Sequence, residues 1–154
     1  MSTAEDPFST MEEFPTDTMG WLLSLCSMMV RGGLTARFAE AGHNVTPEQW
    51  SILSHLWEND GLTQQNLAHR FHRSKVAAFH LISKLEEQGL IVRLPNPGDG
   101  RSNLIYLTPQ GKAVVGELIP VAQANLDQAL EGVPQSHEEA AKAVLRKIIV
   151  NLKR

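Results

Sequence analysis

At Gly89 the apolar periodicity of this chain changes from 3.6 residues to 2, and that switch constrains the fold more than any other stretch. Upstream, "KVAAFHLISKLEEQ" carries Ala78, Leu81, Ile82 and Leu85 as one stripe. Ser74 stands before this segment as N-cap, and Gly89 follows at the position where a left-handed backbone ends a helix. Downstream, "LIVRL" and "NLIYL" are short, branched apolar runs separated by "PNPGDGRS", a turn cluster that predicts a two-stranded hairpin.

Three further helices precede this one. "VTPEQWSILSHLWENDG" opens with Thr46 as N-cap, Pro47 at the first helical position and Gln49 at the third, a complete capping box. Trp50, Leu53, Leu56 and Trp57 share one face, and Asn59-Asp60-Gly61 ends the helix. "TQQNLAHRF" is a shorter helix capped by Thr63. Earlier still, residues 19–41 read as a first helix with Leu22, Leu25, Met29, Ala36 and Phe38 expected inside and Gly32-Gly33 weakening or bending it. After the hairpin, Thr108-Pro109 starts a long helix in which Pro120 predicts a kink. Ser136 and Glu139 predict a second capping box, and the last helix sets Ala140, Val144, Leu145, Ile148, Ile149 and Leu152 on one broad face. The expectation is a mainly α fold with a small β-hairpin.

Charge is unevenly spread. Residues 1–18 hold five acids and no base, without apolar periodicity, and read as a flexible acidic tail. Between residues 66 and 112, seven bases (Arg70, Arg73, Lys75, Lys84, Arg93, Arg101, Lys112) face three acids (Glu86, Glu87, Asp99), a local excess of four although the whole chain is at −3. Such a cluster suits a polyanion, and a merely hydrated basic face is the alternative on charge alone. No run of eighteen apolar residues occurs and the N-terminus opens acidic, so a soluble, cytoplasmic protein with no membrane partner is expected. The single cysteine, Cys26, can form no internal disulfide.

Helix, short helix, turn, helix and hairpin in this order is a winged helix-turn-helix: one exposed helix fits a DNA major groove while a basic hairpin tip reaches the neighbouring minor groove. The strings "TPEQWSILSHLWENDGLTQQNLAHRF", "LISKLEEQGLIVRLPNPGDGRS" and "LIYLTPQGKAV" resemble the MarR (multiple antibiotic resistance regulator) family of bacterial transcription factors over residues 20–152. The resemblance implies a homodimeric regulator of double-stranded DNA, usually a repressor, reading a pseudo-palindromic operator and answering a small aromatic effector or an oxidant. It implies a single domain over residues 19–154, with 19–45 and 109–154 as dimerisation helices and 46–108 as the winged lobe.

Among site residues, the resemblance makes Arg101 the minor-groove arginine and Asp99 the acid that steadies it; Gly100 stands where the family usually has a first base. Ser74 and Lys75 are expected at phosphate at the start of the reading helix, with Val76, Phe79 and His80 toward base edges and Lys84, Arg70 and Arg73 as further backbone contacts. Arg93 is either a further contact or simply an outward strand residue, and it ranks below Arg101.

Other readings compete with these. His69, His72 and His80 invite a zinc site but lack a clustered carboxylate or thiol, so no metal and no cofactor is expected. Cys26 reads as a buried apolar thiol, with peroxide sensing as the alternative; the only tyrosine, Tyr106, lies in the hairpin. Trp21, Trp50, His55 and Trp57 are either core packing or the wall of a ligand cleft. No paired-carboxylate motif, nucleophile elbow or glycine-rich phosphate loop points to an enzyme. A winged-helix protein-interaction module without DNA binding is the alternative from another class, with exposed Phe79 as its contact.

Overall fold

A computed structural model describes residues 18–71 and 74–153. In order they form α1 (Met19–Glu40), α2 (Pro47–Glu58), β1 (Leu62–Thr63), α3 (Gln64–Arg70), α4 (Lys75–Glu87), β2 (Ile91–Pro95), β3 (Asn103–Leu107), α5 (Pro109–Ala129) and α6 (Gln135–Leu152). The acidic residues 1–17, His72 and Arg73 lie outside the described residues.

Local chemistry sets the helix starts. Thr46 Oγ1 accepts the Gln49 N–H at 3.2 Å while Gln49 Oε1 accepts the Thr46 N–H at 3.1 Å, closing the predicted box. Gln49, almost wholly buried, also donates to Gln88 Oε1 at 3.3 Å, which ties the start of α2 to the end of α4. Thr63, Ser74 and Thr108 cap α3, α4 and α5 in the same manner. The Thr108 hydroxyl also donates to the Gly89 carbonyl at 2.6 Å, joining the end of α4 to the start of α5. Gly89 itself has φ +74, as a helix-ending glycine requires.

The core lies where α2, α4 and α5 meet the sheet. Phe38, Leu53, Leu56, Leu67, Ile82, Leu85, Ile105 and Leu118 are fully buried there, each worth roughly 1.5–3 kcal/mol of transfer free energy. A Cβ at Gly111 would run into the Leu90 carbonyl oxygen, so glycine lets α5 close against the start of β2. Polar contacts fasten α1 to α5: buried Asn125 donates to the Val30 carbonyl at 3.0 Å, Arg37 donates to Gln128 at 2.5 Å, and His43 Nε2 meets Glu117 Oε2 at 2.7 Å.

Four expectations are corrected. The sheet has three strands, in the order β1-β3-β2, because Leu62 and Thr63 pair with Ile105 and Leu104. Ser136 does not cap α6: the helix starts two residues earlier than that cap implies, with Pro134 as N-cap and no side-chain cap bond, and Glu139 turns instead to Lys142 at 3.5 Å. Leu22, Met29 and Ala36 are exposed, so of α1 only Phe38 is fully buried. Cys26 is exposed as well. The last two corrections share a cause: α1 carries more apolar surface than this one chain can cover. Helix α5 runs continuously through Pro120.

Candidate nucleic-acid interface

The interface begins with the pairing of β1 to β3. That short ladder brings the first turn of α3 beside the hairpin, while Ser74 starts α4 next to it. A polar groove of about 390 Å³ results, lined by Thr63, Gln64 and Gln65 at the start of α3, Lys75 at the start of α4, and Asn96, Asp99, Arg101, Ser102 and Asn103 of the hairpin. Lys75 and Arg101, 26 positions apart in sequence, thus face one concavity. The amide side chains of Gln64, Gln65 and Asn103 were not singled out by sequence; the signal for them was hidden in β1, whose two residues show no periodicity.

The hairpin tip is organised by its own side chains. Asn96 Oδ1 accepts the Gly98 N–H at 3.0 Å, and Asn96 Nδ2 donates to Ser102 Oγ at 3.0 Å across the loop. Asp99 Oδ1 accepts the Arg101 N–H at 3.0 Å. Asp99 therefore steadies the main chain of Arg101 rather than its guanidinium, which is exposed and has no side-chain partner among the described residues. A side chain at Gly100 would enter open space, and its φ is not in the left-handed region.

Along α4, Ser74 Oγ accepts the Ala77 N–H at 3.1 Å, which uses the oxygen as acceptor and leaves its O–H able to donate to an anion. Lys75, Val76, Phe79, His80 and Lys84 are exposed, whereas Ala78, Ile82 and Leu85 form the buried stripe. Phe79 and His80 meet edge to face, with ring centroids 6.1 Å apart. Arg70 is exposed in the last turn of α3. Arg93 does not point outward as its strand position suggested: its side chain is only 18% exposed and folds onto α4.

The four residues weighed as a ligand cleft do not line one cavity. Trp50 and Trp57 share a largely apolar groove of about 470 Å³ between α2 and α5, with Val115, Ile119, Ala122 and Leu126. His55 instead hydrogen-bonds the Ser51 carbonyl at 3.0 Å and packs edge-on against Phe71 at 4.6 Å, while Trp21 sits in the first turn of α1. A smaller cavity of about 210 Å³ between α2, α3 and α4 includes Ser51, Phe71 and Leu81, and Arg31 of α1 pairs with Glu48 of α2 on its wall. Among the described residues no group of three His, Cys, Asp or Glu is placed to hold a metal ion, and no helix is long and apolar enough to cross a membrane.

Known proteins share this arrangement. The MarR family model matches residues 45–102, from the residue before the α2 cap to the hairpin tip. YybA of Bacillus subtilis (strain 168), an uncharacterized HTH-type transcriptional regulator, is 28% identical over 129 residues, covering 79% of this chain and 86% of its own. A MarR-family transcriptional regulator from Rhodococcus sp. RHA1 superposes with a TM-score of 0.77 at 26% identity, covering 88% of this chain and 95% of its own. CouR from Rhodococcus jostii RHA1, bound to p-coumaroyl-CoA, does so with a TM-score of 0.77 at 25% identity, covering 88% and 94%. The same fold recurs in the transcriptional repressor CouR on a 23-mer DNA duplex, with a TM-score of 0.78 at 24% identity over 95% of this chain and 99% of that one.

Proposed function

Because this chain belongs to the MarR family, whose members are transcriptional regulators and not enzymes, we propose that it is a homodimeric, effector-responsive repressor of a dyad-symmetric operator. The observation that carries the reading is the shared groove: Lys75 at the start of α4 and Arg101 at the hairpin tip face one concavity. In this reading α4 enters a major groove, Ser74, Lys75, Arg70 and Lys84 hold phosphate, and Val76, Phe79 and His80 meet base edges. Arg101 enters the flanking minor groove, whose negative potential attracts a guanidinium that has no side-chain partner among the described residues.

The homodimer rests on uncovered apolar surface. Helix α6 is 18 residues long and buries none of them. Val144, Leu145 and Ile149 of α6, Met28 and Met29 of α1, and Leu126 of α5 are all exposed. Residues 19–45 and 109–154 are therefore assigned to dimerisation and 46–108 to the winged lobe. A second copy covering these helices hides the surface and sets two lobes about a two-fold axis, which the operator then copies. Repression and effector response are carried from CouR, described as a transcriptional repressor and solved with p-coumaroyl-CoA. The groove between Trp50 and Trp57 separates α2 of the winged lobe from α5, so an aromatic effector seated there bears on how the lobes are held.

The test is a fluorescence-anisotropy titration against DNA flanking the protein's own gene. Saturable binding that weakens steeply with salt supports the proposal; absent or salt-insensitive binding contradicts it. The same titration reads Gly100→Lys. Open space and an ordinary φ at Gly100 accept a side chain without strain, so a lysine there adds a phosphate contact to each wing. The expected result is roughly three- to tenfold tighter binding and a steeper salt dependence. Equal affinity would show that the tip does not lie against the backbone.

A further inference from the structure

Arg93 makes a contact set that neither the hairpin nor the groove requires. It leaves β2 and lies along α4, donating from Nη1 to Glu86 Oε1 at 3.2 Å and from Nη2 to Ser83 Oγ at 2.9 Å. Its main-chain N–H donates to Glu86 Oε2 at 3.2 Å, so one carboxylate grips both its backbone and its side chain. The guanidinium carbon stands 4.9 Å from the centre of the Phe79 ring. Phe79, Ser83 and Glu86 are four and three residues apart, which stacks them on one face of α4 over two turns. The Arg93 Nε is buried with no hydrogen-bond partner among the described residues, a cost that the other contacts must outweigh.

The contact set restrains a side chain that faces outward. Phe79 is 47% exposed, and an exposed phenylalanine ordinarily turns between rotamers. Here the cation covers one face of the ring and His80 meets it edge to face, so the ring plane is set and its rim projects from the helix. We propose that Arg93 is a positioning residue for sequence readout: without touching DNA, it holds the Phe79 ring against the 5-methyl group of a thymine. By gripping Glu86 and Ser83 from β2, it also makes hairpin and α4 one rigid reader. This rests on the DNA-binding reading above.

The experiment titrates the full chain against its selected operator and against copies in which single thymines are replaced by deoxyuridine, which removes only the methyl. For the wild-type chain, at least one such replacement per half-site costs about fourfold in affinity. In Arg93→Met the penalty at that position falls below twofold, while the slope of affinity against salt is unchanged, because no phosphate contact has been lost. Glu86→Gln leaves Arg93 in place with a weaker grip and gives an intermediate penalty; it decides the matter if Arg93→Met does not fold. A full methyl penalty in both variants overturns the proposal, as does a salt slope reduced by about two, one per copy, which marks a direct phosphate contact. A wild-type operator with no methyl-sensitive thymine overturns it too. Failure of the wild-type chain to bind any DNA removes the parent reading instead, and is seen before any variant is made.

Discussion

Arg101→Ala is expected to weaken operator binding by about a hundredfold, since each dimer loses two groove contacts at roughly 1–3 kcal/mol each, while the fold stays intact. The guanidinium is exposed and pairs with no side chain among the described residues, so its loss removes nothing that holds the hairpin. The contact that does hold it, the Arg101 N–H on Asp99 Oδ1, belongs to the backbone and survives the substitution. Thermal melting should therefore match the wild-type chain, and affinity alone should move. The loss should be largest at operators whose flanks are A·T-rich, where the minor groove is narrow and most negative. Unchanged affinity would place the hairpin tip away from DNA and return Arg101 to a solvated surface residue.

The second large effect is expected at the opposite end of the molecule. Leu145 and Ile149 are four residues apart on α6, so their side chains lie on one face, and both are exposed in the single chain. Replacing both with glutamate puts two charges per copy into the surface that the proposed dimer buries. The expected outcome is a monomer at micromolar concentration by sedimentation velocity, with operator affinity lower by about a thousandfold because the second half-site no longer binds as part of one body. A double variant that remains dimeric would move the interface elsewhere. A wild-type chain that sediments as a folded monomer would remove the dimer from the account.

What the sequence made legible was whatever is encoded within a few residues. The Thr46–Gln49 box, the Thr63, Ser74 and Thr108 caps and the glycine at 89 are local chemistry, and each appears where its residues predict. What it hid depends on partners distant in the chain. A two-residue strand such as Leu62–Thr63 has no period to detect, yet its pairing with β3 is what carries α3 to the hairpin and creates the groove. Ser136 has the residue type of a cap, but Pro134 already holds the extended backbone that starts α6, so the helix begins before the serine can serve it. Periodicity put Leu22 and Met29 inside, yet both are exposed, because no other element of this one chain packs over them. Arg93 was the largest departure. Its place in a strand left an outward side chain as one reading, whereas the α4 residues Phe79, Ser83 and Glu86 hold it inward.

These threads meet at one claim, that two copies of α4 and two hairpins read DNA together. Hydroxyl-radical footprinting of the wild-type chain on its own flanking DNA tests it most directly. Two dyad-related protected patches about ten base pairs apart between centres are expected, with minor-groove protection outside them that disappears in Arg101→Ala. A single unpaired patch, or protection spread evenly along the fragment, would contradict it.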